Sequence, residues 1–357
     1  MDTAEPPLPA AALPAGFSPV TCIAVRDETP TIRTFVLRPE DPAFLRFEAG
    51  QALVLSVDAG DGPLLRTFSV SSAPGAGDAL ELTIKAHSAG RATRWLHDHL
   101  VPGMMLPARP PRGRFTLAAT ASRKLAFVSA GSGATPLMSM LRALDMTGEP
   151  LDVAWHHSAS AVDEVLFARE LVELQARHPG LAVTVLLSRP APGWFGYRGR
   201  ISRRLLATAV PDIGRRDVFC CGPAGFMDAV KLIHAGEGGR PEAFHCEVFG
   251  AVPAPAATAG VRAETGNGPR HRLTVRGQSI AVMPEETILQ AALRHSIIIP
   301  CGCGQGMCGT CIVRGIEGGF EMAHQGGISG EEEAAGFLLA CSTKLRGDAE
   351  IELLPLG

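Results

Sequence analysis

Residues 301–311 read CGCGQGMCGTC, and this short segment decides the interpretation of the whole chain. Within it Cys303, Cys308 and Cys311 are separated by four and then two residues, and Cys341 follows after 29 more. This spacing is typical of the ligands of a [2Fe–2S] cluster, where three thiolates come from one tight loop and a fourth from a distant strand. The glycines between the cysteines suit such a loop, because glycine adopts positive φ without strain. We therefore predict these four cysteines as the metal ligands.

A zinc site and a disulfide framework are the alternatives for these cysteines. Zinc sites favour two short paired spacings, and only one is present here. A disulfide framework needs an oxidising compartment, whereas the chain has nine cysteines, an odd number, and its first residues do not read as a secretory signal. Cys301 is the open alternative to Cys303 as a ligand, although the four-residue spacing favours Cys303.

The stretch Pro300–Cys311, together with Leu339–Ser342, resembles the plant-type ferredoxin family. The resemblance implies a β-grasp fold of the α+β class. The local pattern agrees, since residues 272–275 and 279–282 alternate like two paired strands. A helix is predicted from Thr287, and its core face is expected to carry Ile288, Leu289, Ala292 and Leu293.

The chain has 357 residues, which is too long for one such domain. Its net charge of −3 gives no electrostatic reason to expect nucleic acid or a membrane surface as a partner. Residues 1–16 are rich in Pro and Ala and are expected to form a disordered tail, while residues 251–268 read as a linker. No stretch approaches the roughly 18 apolar residues of a membrane span. We expect a soluble, cytoplasmic protein.

Short apolar runs separated by turn residues fill the region from residue 17 to residue 118, a pattern typical of an antiparallel β-barrel. Two motifs lie in this region, Arg66-Thr67-Phe68-Ser69 and Gly90-Arg91-Ala92-Thr93. A guanidinium fork and the N–H groups of a helix start are both suited to a pyrophosphate. The predicted strands cover residues 20–25, 31–37, 53–57 and 80–84.

These motifs resemble the R-x-[YF]-[ST] and G-x-x-[ST] signatures of the ferredoxin–NADP reductase-like flavoproteins. The resemblance implies a flavin, with Ser69 near N5 of the isoalloxazine and Phe68 along the ring or ribityl chain. Phe68 stands where Tyr is commoner, so one hydroxyl donor is lost. FAD is favoured over FMN because the helix start has a pyrophosphate to bind. The predicted flavin-binding residues are Arg66, Thr67, Phe68, Ser69, Lys85, Gly90, Ala92 and Thr93.

From about residue 120 the pattern changes to a strand, a glycine turn and an apolar helix. The predicted strand covers residues 124–130, the turn residues 131–136 and the helix residues 137–144. Aligned N–H groups and the helix dipole make such a turn an anion-binding site. The turn also matches the G-x-G-x-T-P sequence of the same reductase family, which implies that a nicotinamide dinucleotide binds at Gly131, Ser132, Gly133, Thr135 and Pro136.

The family's second landmark is present at residues 218–227. The resemblance implies that Cys221 stands beside C4 of the nicotinamide, with Gly222 and Pro223 shaping the turn. Taken alone, Cys221 would be read as a small buried hydrophobic residue. Phe249 is expected to stack on the flavin, as an aromatic residue does at this place in the family. Ser69, Cys221 and Phe249 are thus the predicted catalytic residues.

Residues 151–155 and 183–187 are predicted as further strands of a doubly wound parallel sheet. We interpret His156 and His157 as loop residues, since no acid or nucleophile is paired with them. Ser188-Arg189 and Tyr197-Arg198 could hold a 2′-phosphate, or these arginines are ordinary surface charge. NADH is favoured over NADPH because residues 158–160 offer no arginine.

The resulting domain order is a disordered tail (1–16), an FAD-binding β-barrel (17–118), an NAD(P)-binding α/β domain (119–250), a linker (251–268) and a [2Fe–2S] ferredoxin domain (269–357). It resembles the reductase components of multicomponent oxygenases. The resemblance implies that hydride passes from NAD(P)H to the flavin and that single electrons pass on to the cluster.

The first hypothesis for the acceptor is a terminal oxygenase of the Rieske type. Residues 322–328 resemble a stretch of the reductases that serve demethylases of quaternary ammonium compounds such as glycine betaine. The alternatives are a reductase of a hybrid-cluster protein or a diiron hydroxylase, and a redox-sensing docking module without turnover. Glu331–Glu333 is interpreted as a solvated helix start, with an acidic docking face as the alternative.

Overall fold

The computed structural model describes residues 13, 17–60, 62–87, 90–248, 271–295, 297, 299, 301, 304, 306, 311–324, 328 and 330–354. The chain divides into two compact units, Met1–Cys246 and Glu247–Gly357. The predicted fold class is confirmed, because an antiparallel sheet, a parallel sheet and a small mixed sheet follow one another along the chain. The exact domain boundaries stay a prediction.

The first sheet has six strands in the order β4-β3-β6-β1-β2-β5. An isolated bridge between Val70 and Leu82 joins the end of β4 to β5, so the sheet curls towards a closed barrel. Its interior is apolar, with Phe35, Leu53 and Leu55 fully buried, and each such side chain stabilises the fold by roughly 2 kcal/mol. The elements are β1 (Ser18–Thr29), β2 (Ile32–Pro39), β3 (Ala52–Asp58), β4 (Pro63–Ser69), β5 (Leu80–Lys85), α1 (Arg91–His99) and β6 (Met105–Arg112).

The second sheet has the order β10-β9-β8-β7-β11-β12, and the pairings from β10 to β11 are parallel. The strand order reverses beside β7, as in a doubly wound sheet, so the ends of β7 and β11 form a crevice suited to a ligand. Its elements are β7 (Lys124–Ala130), α2 (Ala134–Met146), β8 (Asp152–Ala159), α3 (Ala168–Arg177), β9 (Leu181–Leu187), β10 (Tyr197–Arg198), α4 (Arg203–Ala209), β11 (Asp217–Gly222), α5 (Ala224–Gly236) and β12 (Phe244–Val248).

The second unit carries a five-stranded sheet of order β14-β13-β19-β15-β17 and a small β16-β18 pair. Thr287 caps α6 with a capping box, since its hydroxyl accepts from the N–H of Gln290 and the Gln290 side chain accepts from the N–H of Thr287. Leu293 was predicted to face the core, and this was wrong, because 36% of it is exposed. The elements are β13 (His271–Val275), β14 (Gln278–Val282), α6 (Ile288–Arg294), β15 (Ile312–Glu317), β16 (Phe320–Met322), α7 (Gly330–Ala334), β17 (Phe337–Leu339), β18 (Thr343–Leu345) and β19 (Ala349–Leu353).

Among the described residues, no helix is both long enough and apolar enough to cross a lipid bilayer.

Candidate cofactor sites

The predicted flavin motif forms the second half of β4, where Arg66 pairs with Leu55 of β3. Ser69 is buried at the end of the strand, and Phe68 packs against the barrel core. Burial lowers the pKa of the Arg66 guanidinium, and the positive charge of Arg91 lowers it further. The positive charges of Arg66 and Arg91 repel each other, so a bound anion would stabilise the pair. The arrangement fits the pyrophosphate of FAD.

The second flavin motif forms the start of α1. Gly90 is the N-cap residue, and no side chain in the described part of the chain caps the helix there. A Cβ atom on Gly90 would stand 2.5 Å from Thr93 Oγ1 and 3.0 Å from His87 Cβ, so this position has no room for a side chain. Thr93 Oγ1 donates to the Gly90 carbonyl at 3.1 Å. The start of α1 therefore presents backbone in place of a capping side chain, an arrangement that suits a phosphate.

Lys85 was predicted to bind the flavin, and its ammonium group lies 3.3 Å from Glu164 Oε2. Glu164 precedes α3 and also accepts a 2.9 Å hydrogen bond from the hydroxyl of Thr31. The structure thus places Lys85 in a link between the barrel and the parallel sheet. A role of Lys85 towards the flavin stays a prediction.

The predicted dinucleotide turn is a single 3-10 turn, Gly131–Gly133, which runs directly into α2 at Ala134. The helix therefore begins three residues earlier than the sequence pattern indicated. Gly131 has a positive φ of 54°, and Thr135 Oγ1 donates to the Ser132 carbonyl at 2.9 Å. Thr135 and Pro136 are buried, so the turn presents backbone rather than side chains. A backbone surface of this kind fits a close approach by a dinucleotide phosphate.

Cys221 lies beside this turn at the end of β11. Its pairing partner in the sheet is Ser129 of β7, and its side chain is fully buried. A Cβ atom on Gly133 would stand 2.1 Å from the Cys221 carbonyl oxygen, which shows how tightly turn and strand are packed. Pro223 is exposed and is the N-cap of α5. The structure therefore brings together both landmarks of the predicted nicotinamide site.

The interpretation of His156 and His157 as loop residues was wrong. Both lie inside β8 and are fully buried. His156 Nδ1 lies 2.8 Å from Thr184 Oγ1, and His157 Nδ1 lies 2.8 Å from Ser129 Oγ. Burial lowers the pKa of His156 to about 4 and that of His157 to about 3. Neutral imidazoles are tolerated here because each neighbouring strand supplies a hydroxyl partner.

The residues proposed for a 2′-phosphate lie together beyond the ends of β8 and β9. The backbone N–H of Ser188 donates to Ala159 O at 3.0 Å, and that of Arg189 donates to Ser160 O at 2.8 Å. Ser188 and Arg189 are exposed, as is Arg198. The Arg198 guanidinium donates to the carbonyl of Trp194. The arginines are thus accessible, and one of them is already held by its own loop.

A group of polar contacts that the sequence reasoning missed joins the barrel to the parallel sheet. We call it the seam and define it by the residues in direct contact: Thr31, Ser71, Ser72, Glu81 and Lys85 of the barrel, and Ser139, Arg142, Glu164 and Glu170 of the sheet domain. Arg142 is the most connected of these, with bonds to Ser71, Glu81 and Glu170. No local motif marks it, because its partners lie 28 to 71 residues away in the chain.

Two of the four predicted cluster ligands, Cys311 and Cys341, are described, and both are buried. The N–H of Gly306 donates to Cys341 Sγ at 3.1 Å, and the N–H of Cys341 donates to Cys311 Sγ at 3.4 Å. Backbone N–H groups aimed at sulfur stabilise thiolate ligands of an iron–sulfur cluster. This donor set fits a [2Fe–2S] cluster. Cys303, Cys308 and Phe249 lie outside the described residues.

Cys301, the alternative ligand, is partly buried and packs against the apolar core of the second unit. His324 lies near the cluster loop, because a Cβ atom on Gly306 would stand 2.9 Å from His324 Cα. His324 Nε2 is 3.5 Å from Glu333 Oε2 on α7. Glu331–Glu333 form the first turn of that short helix, where the helix dipole stabilises carboxylates.

Comparisons with known proteins agree with three successive modules. Family models match residues 21–117 (oxidoreductase FAD-binding domain), residues 127–232 (oxidoreductase NAD-binding domain) and residues 273–346 (2Fe-2S iron-sulfur cluster binding domain). The predictions of FAD, a nicotinamide dinucleotide and a [2Fe–2S] cluster are thereby confirmed.

Two curated relatives and one solved structure are similar over most of the chain. The glycine betaine monooxygenase reductase subunit of Pseudomonas aeruginosa is 36% identical over 346 residues, which covers 93% of this chain and 94% of that protein. The stachydrine N-demethylase reductase subunit of Rhizobium meliloti is 35% identical over 330 residues, or 91% and 94% of the two chains. Phthalate dioxygenase reductase shares the fold, with a TM-score of 0.60 and 22% identity over 95% of this chain and 98% of that one.

Proposed function

Because this chain belongs to the family of oxygenase reductase subunits, we propose that it supplies electrons to a Rieske-type oxygenase that demethylates a quaternary ammonium compound. The chain itself is an NAD(P)H-dependent reductase with FAD-binding, NAD-binding and [2Fe–2S] modules. The observation that carries the proposal is the 36% identity to a glycine betaine monooxygenase reductase subunit across nearly the full length of both proteins. The stretch at residues 322–328 supports the same acceptor class.

When bound, the nicotinamide, the flavin and the cluster supply hydride transfer followed by one-electron transfer. The protein binds and orients these groups. We propose that Arg66 and the first turn of α1 bind the FAD pyrophosphate, that Ser69 contacts the flavin near N5, and that Cys221 lies beside the nicotinamide ring. The burial of Ser69 and Cys221 supports these roles, because both side chains lie where water is excluded.

We propose Phe249 as the aromatic residue that stacks on the flavin and Cys303, Cys308, Cys311 and Cys341 as the cluster ligands. The proposed domains are those expected from the sequence, with boundaries near residues 118, 250 and 268. The cytoplasm is the proposed location, since an iron–sulfur protein needs its cysteines as thiols.

We also propose NADH as the preferred electron donor, with NADPH as the weaker one. Residues 158–160 at the end of β8 are Ser-Ala-Ser and present no guanidinium to a 2′-phosphate. Arg189 and Arg198 are exposed nearby, but the Arg198 guanidinium is already bound to Trp194 O. A 2′-phosphate would therefore meet two arginines of which one is already bound by its own loop, instead of a clamp.

The acceptor is tested by reconstitution with purified oxygenase components. The reductase is mixed with glycine betaine monooxygenase, with stachydrine demethylase, with a diiron hydroxylase or with a hybrid-cluster protein, and NADH oxidation is followed. With a cognate demethylase we expect formaldehyde in amounts that match the NADH consumed. Coupled turnover with the diiron or hybrid-cluster partner alone would contradict the proposal. Failure to reduce even cytochrome c with NADH would identify a sensing module instead.

A further inference from the structure

The helix that follows the dinucleotide turn also holds the barrel. α2 begins at Ala134, directly after the turn Gly131–Gly133. Ser139 and Arg142 are three residues apart, so their side chains share one face of the helix. That face lies against the segment that follows the flavin motif. Helix α2 thus adjoins the predicted dinucleotide turn and also contacts the segment that follows the flavin motif.

Ser139 and Arg142 donate hydrogen bonds to two consecutive carbonyl groups of the barrel. Ser139 Oγ donates to the Ser72 carbonyl at 2.7 Å, and Arg142 Nη1 donates to the Ser71 carbonyl at 2.8 Å. Both serines are buried. They follow Ser69 by only two and three residues. The position of the flavin motif relative to α2 is therefore fixed by hydrogen bonds from two side chains of α2 to main-chain carbonyl groups of the barrel.

Arg142 is itself held from both sides. Its guanidinium binds Glu170 in a bidentate fork at 2.7 Å and 2.6 Å, and Nη1 also donates to Glu81 Oε2 at 2.9 Å. The charged group lies 5.4 Å from the Phe167 ring, and only 17% of the side chain is exposed. Phe167 has a left-handed φ of 59° at the N-cap of α3. Fork geometry and burial leave the guanidinium one orientation.

We propose that Arg142 and Ser139 are positioning residues for hydride transfer, which set the spacing between the nicotinamide turn and the flavin motif. The inference rests on the reductase chemistry and not on the identity of the acceptor. In that transfer the C4–H bond of NAD(P)H breaks with both electrons and an N5–H bond forms on the flavin, so NAD(P)H is oxidised and the flavin is reduced. A displacement of about 1 Å in such a geometry costs up to roughly a hundred-fold in rate.

The test is stopped-flow reduction of the flavin by NADH in the full-length holoprotein without an oxygenase. For Arg142→Gln we expect the limiting reduction rate to fall at least about ten-fold, while the Kd for NADH changes less than about two-fold. The deuterium isotope effect with NADH labelled at C4 should rise, because the chemical step becomes more rate-limiting. Ser139→Ala should show a smaller loss of the same kind. Arg142→Lys keeps the charge without the fork and should recover part of the rate.

Arg26→Gln is the matched control. Arg26 binds the other oxygen of Glu81 at 2.7 Å without touching Ser71 or Glu170, and it lies outside the binding machinery. It should reduce its flavin at the wild-type rate. Wild-type limiting rates in both Arg142→Gln and Ser139→Ala would overturn the proposal. So would an equal loss in Arg26→Gln, since the effect would then reflect a weakened fold rather than positioning. If Arg142→Gln does not fold, Ser139→Ala decides between the same two results.

Discussion

Gly133 and Cys221 touch so closely that the carbonyl oxygen of Cys221 lies 2.1 Å from where a Cβ atom of residue 133 would stand. The carbonyl carbon would be only 2.5 Å away. The backbone of Gly133 has an ordinary helical φ of −61°, so glycine is required here by the neighbouring strand and not by its own conformation. The dinucleotide turn and the end of β11 therefore behave as one surface.

Gly133→Ala should weaken NADH binding, because the new methyl group must push the turn away from β11. We expect the KM for NADH to rise at least about ten-fold, which corresponds to roughly 1.4 kcal/mol of lost binding. The measurement is steady-state ferricyanide reduction. Gly236→Ala at the other end of α5 is the control, since the nearest atom to its Cβ would be Arg203 Cζ at 4.0 Å. An unchanged KM in Gly133→Ala would show that the turn does not receive the dinucleotide.

Cys341→Ser should remove the [2Fe–2S] absorption bands while the flavin is still reduced by NADH. The reason is that Cys341 is the proposed ligand from outside the loop, where its Sγ accepts the N–H of Gly306 and its own N–H donates to Cys311 Sγ. Visible and electron paramagnetic resonance spectra of the dithionite-reduced protein measure the cluster. Cys301→Ser is the companion variant and should keep its bands. Loss of the bands in Cys301→Ser as well would make Cys301 the ligand in place of Cys303, and bands retained in Cys341→Ser would contradict the proposed ligand set.

The two buried histidines of β8 should make the protein sensitive to acid. Their folded pKa values of about 4 and about 3 lie below the ordinary value of 6.5. Below pH 6.5 the unfolded chain therefore binds protons that the folded chain does not, and stability falls as the pH falls. Each histidine contributes up to about 1.4 kcal/mol per pH unit, and the slope is steepest near pH 5. Above about pH 8 the contribution is constant.

Urea unfolding at pH 7.5 and pH 5.5 measures this dependence through tryptophan fluorescence, to which Trp155, buried in the same strand, contributes. A variant with His156→Gln and His157→Gln lacks both titrating groups, and its unfolding free energy should change much less between the two pH values. An identical pH dependence in the variant and the parent would refute the prediction that these two histidines cause the loss of stability in acid.

Arg189→Ala should lower whatever activity the protein has with NADPH and leave activity with NADH nearly unchanged. Arg189 is exposed at the end of β9, where we propose that its charge would bind a 2′-phosphate. The ratio of kcat/KM for the two dinucleotides is the quantity to measure. Arg198→Ala, which removes a guanidinium held by Trp194 O, should change the ratio less. A large loss with NADH in Arg189→Ala would place this residue on a shared part of the dinucleotide.

The motifs that the sequence predicted well are local ones. The strand Lys124–Ala130, the glycine turn directly after it and the helix start at Thr287 each depend on neighbours a few residues away. His156 and His157 were misinterpreted because their hydroxyl partners, Thr184 and Ser129, lie 28 residues away on adjacent strands. Two adjacent polar residues such as these indicate a loop unless the parallel pairing of β8 with β7 and β9 is known.

The position of Leu293 and the role of Arg142 were hidden for related reasons. The helical pattern placed Leu293 near an apolar face, but α6 ends one residue later and leaves it 36% exposed. Arg142 follows an apolar run in α2, and nothing near it in the sequence indicates that it binds a carbonyl group 71 residues earlier. Contacts between the two modules can be identified only from the structure, because residues this far apart in the chain leave no local pattern in the sequence.

The seam has a consequence for recombination among related genes. A chimera that joins the barrel of one relative to the sheet of another would combine two sets of seam residues that did not evolve together. The barrel residues are at positions 31, 71, 72, 81 and 85, and the sheet residues are at positions 139, 142, 164 and 170. An exchange beyond residue 248 would leave every one of these pairs intact. The seam therefore sets no limit on exchange of the ferredoxin module, and substitutions at residue 142 should be accompanied by changes at residues 81 and 170.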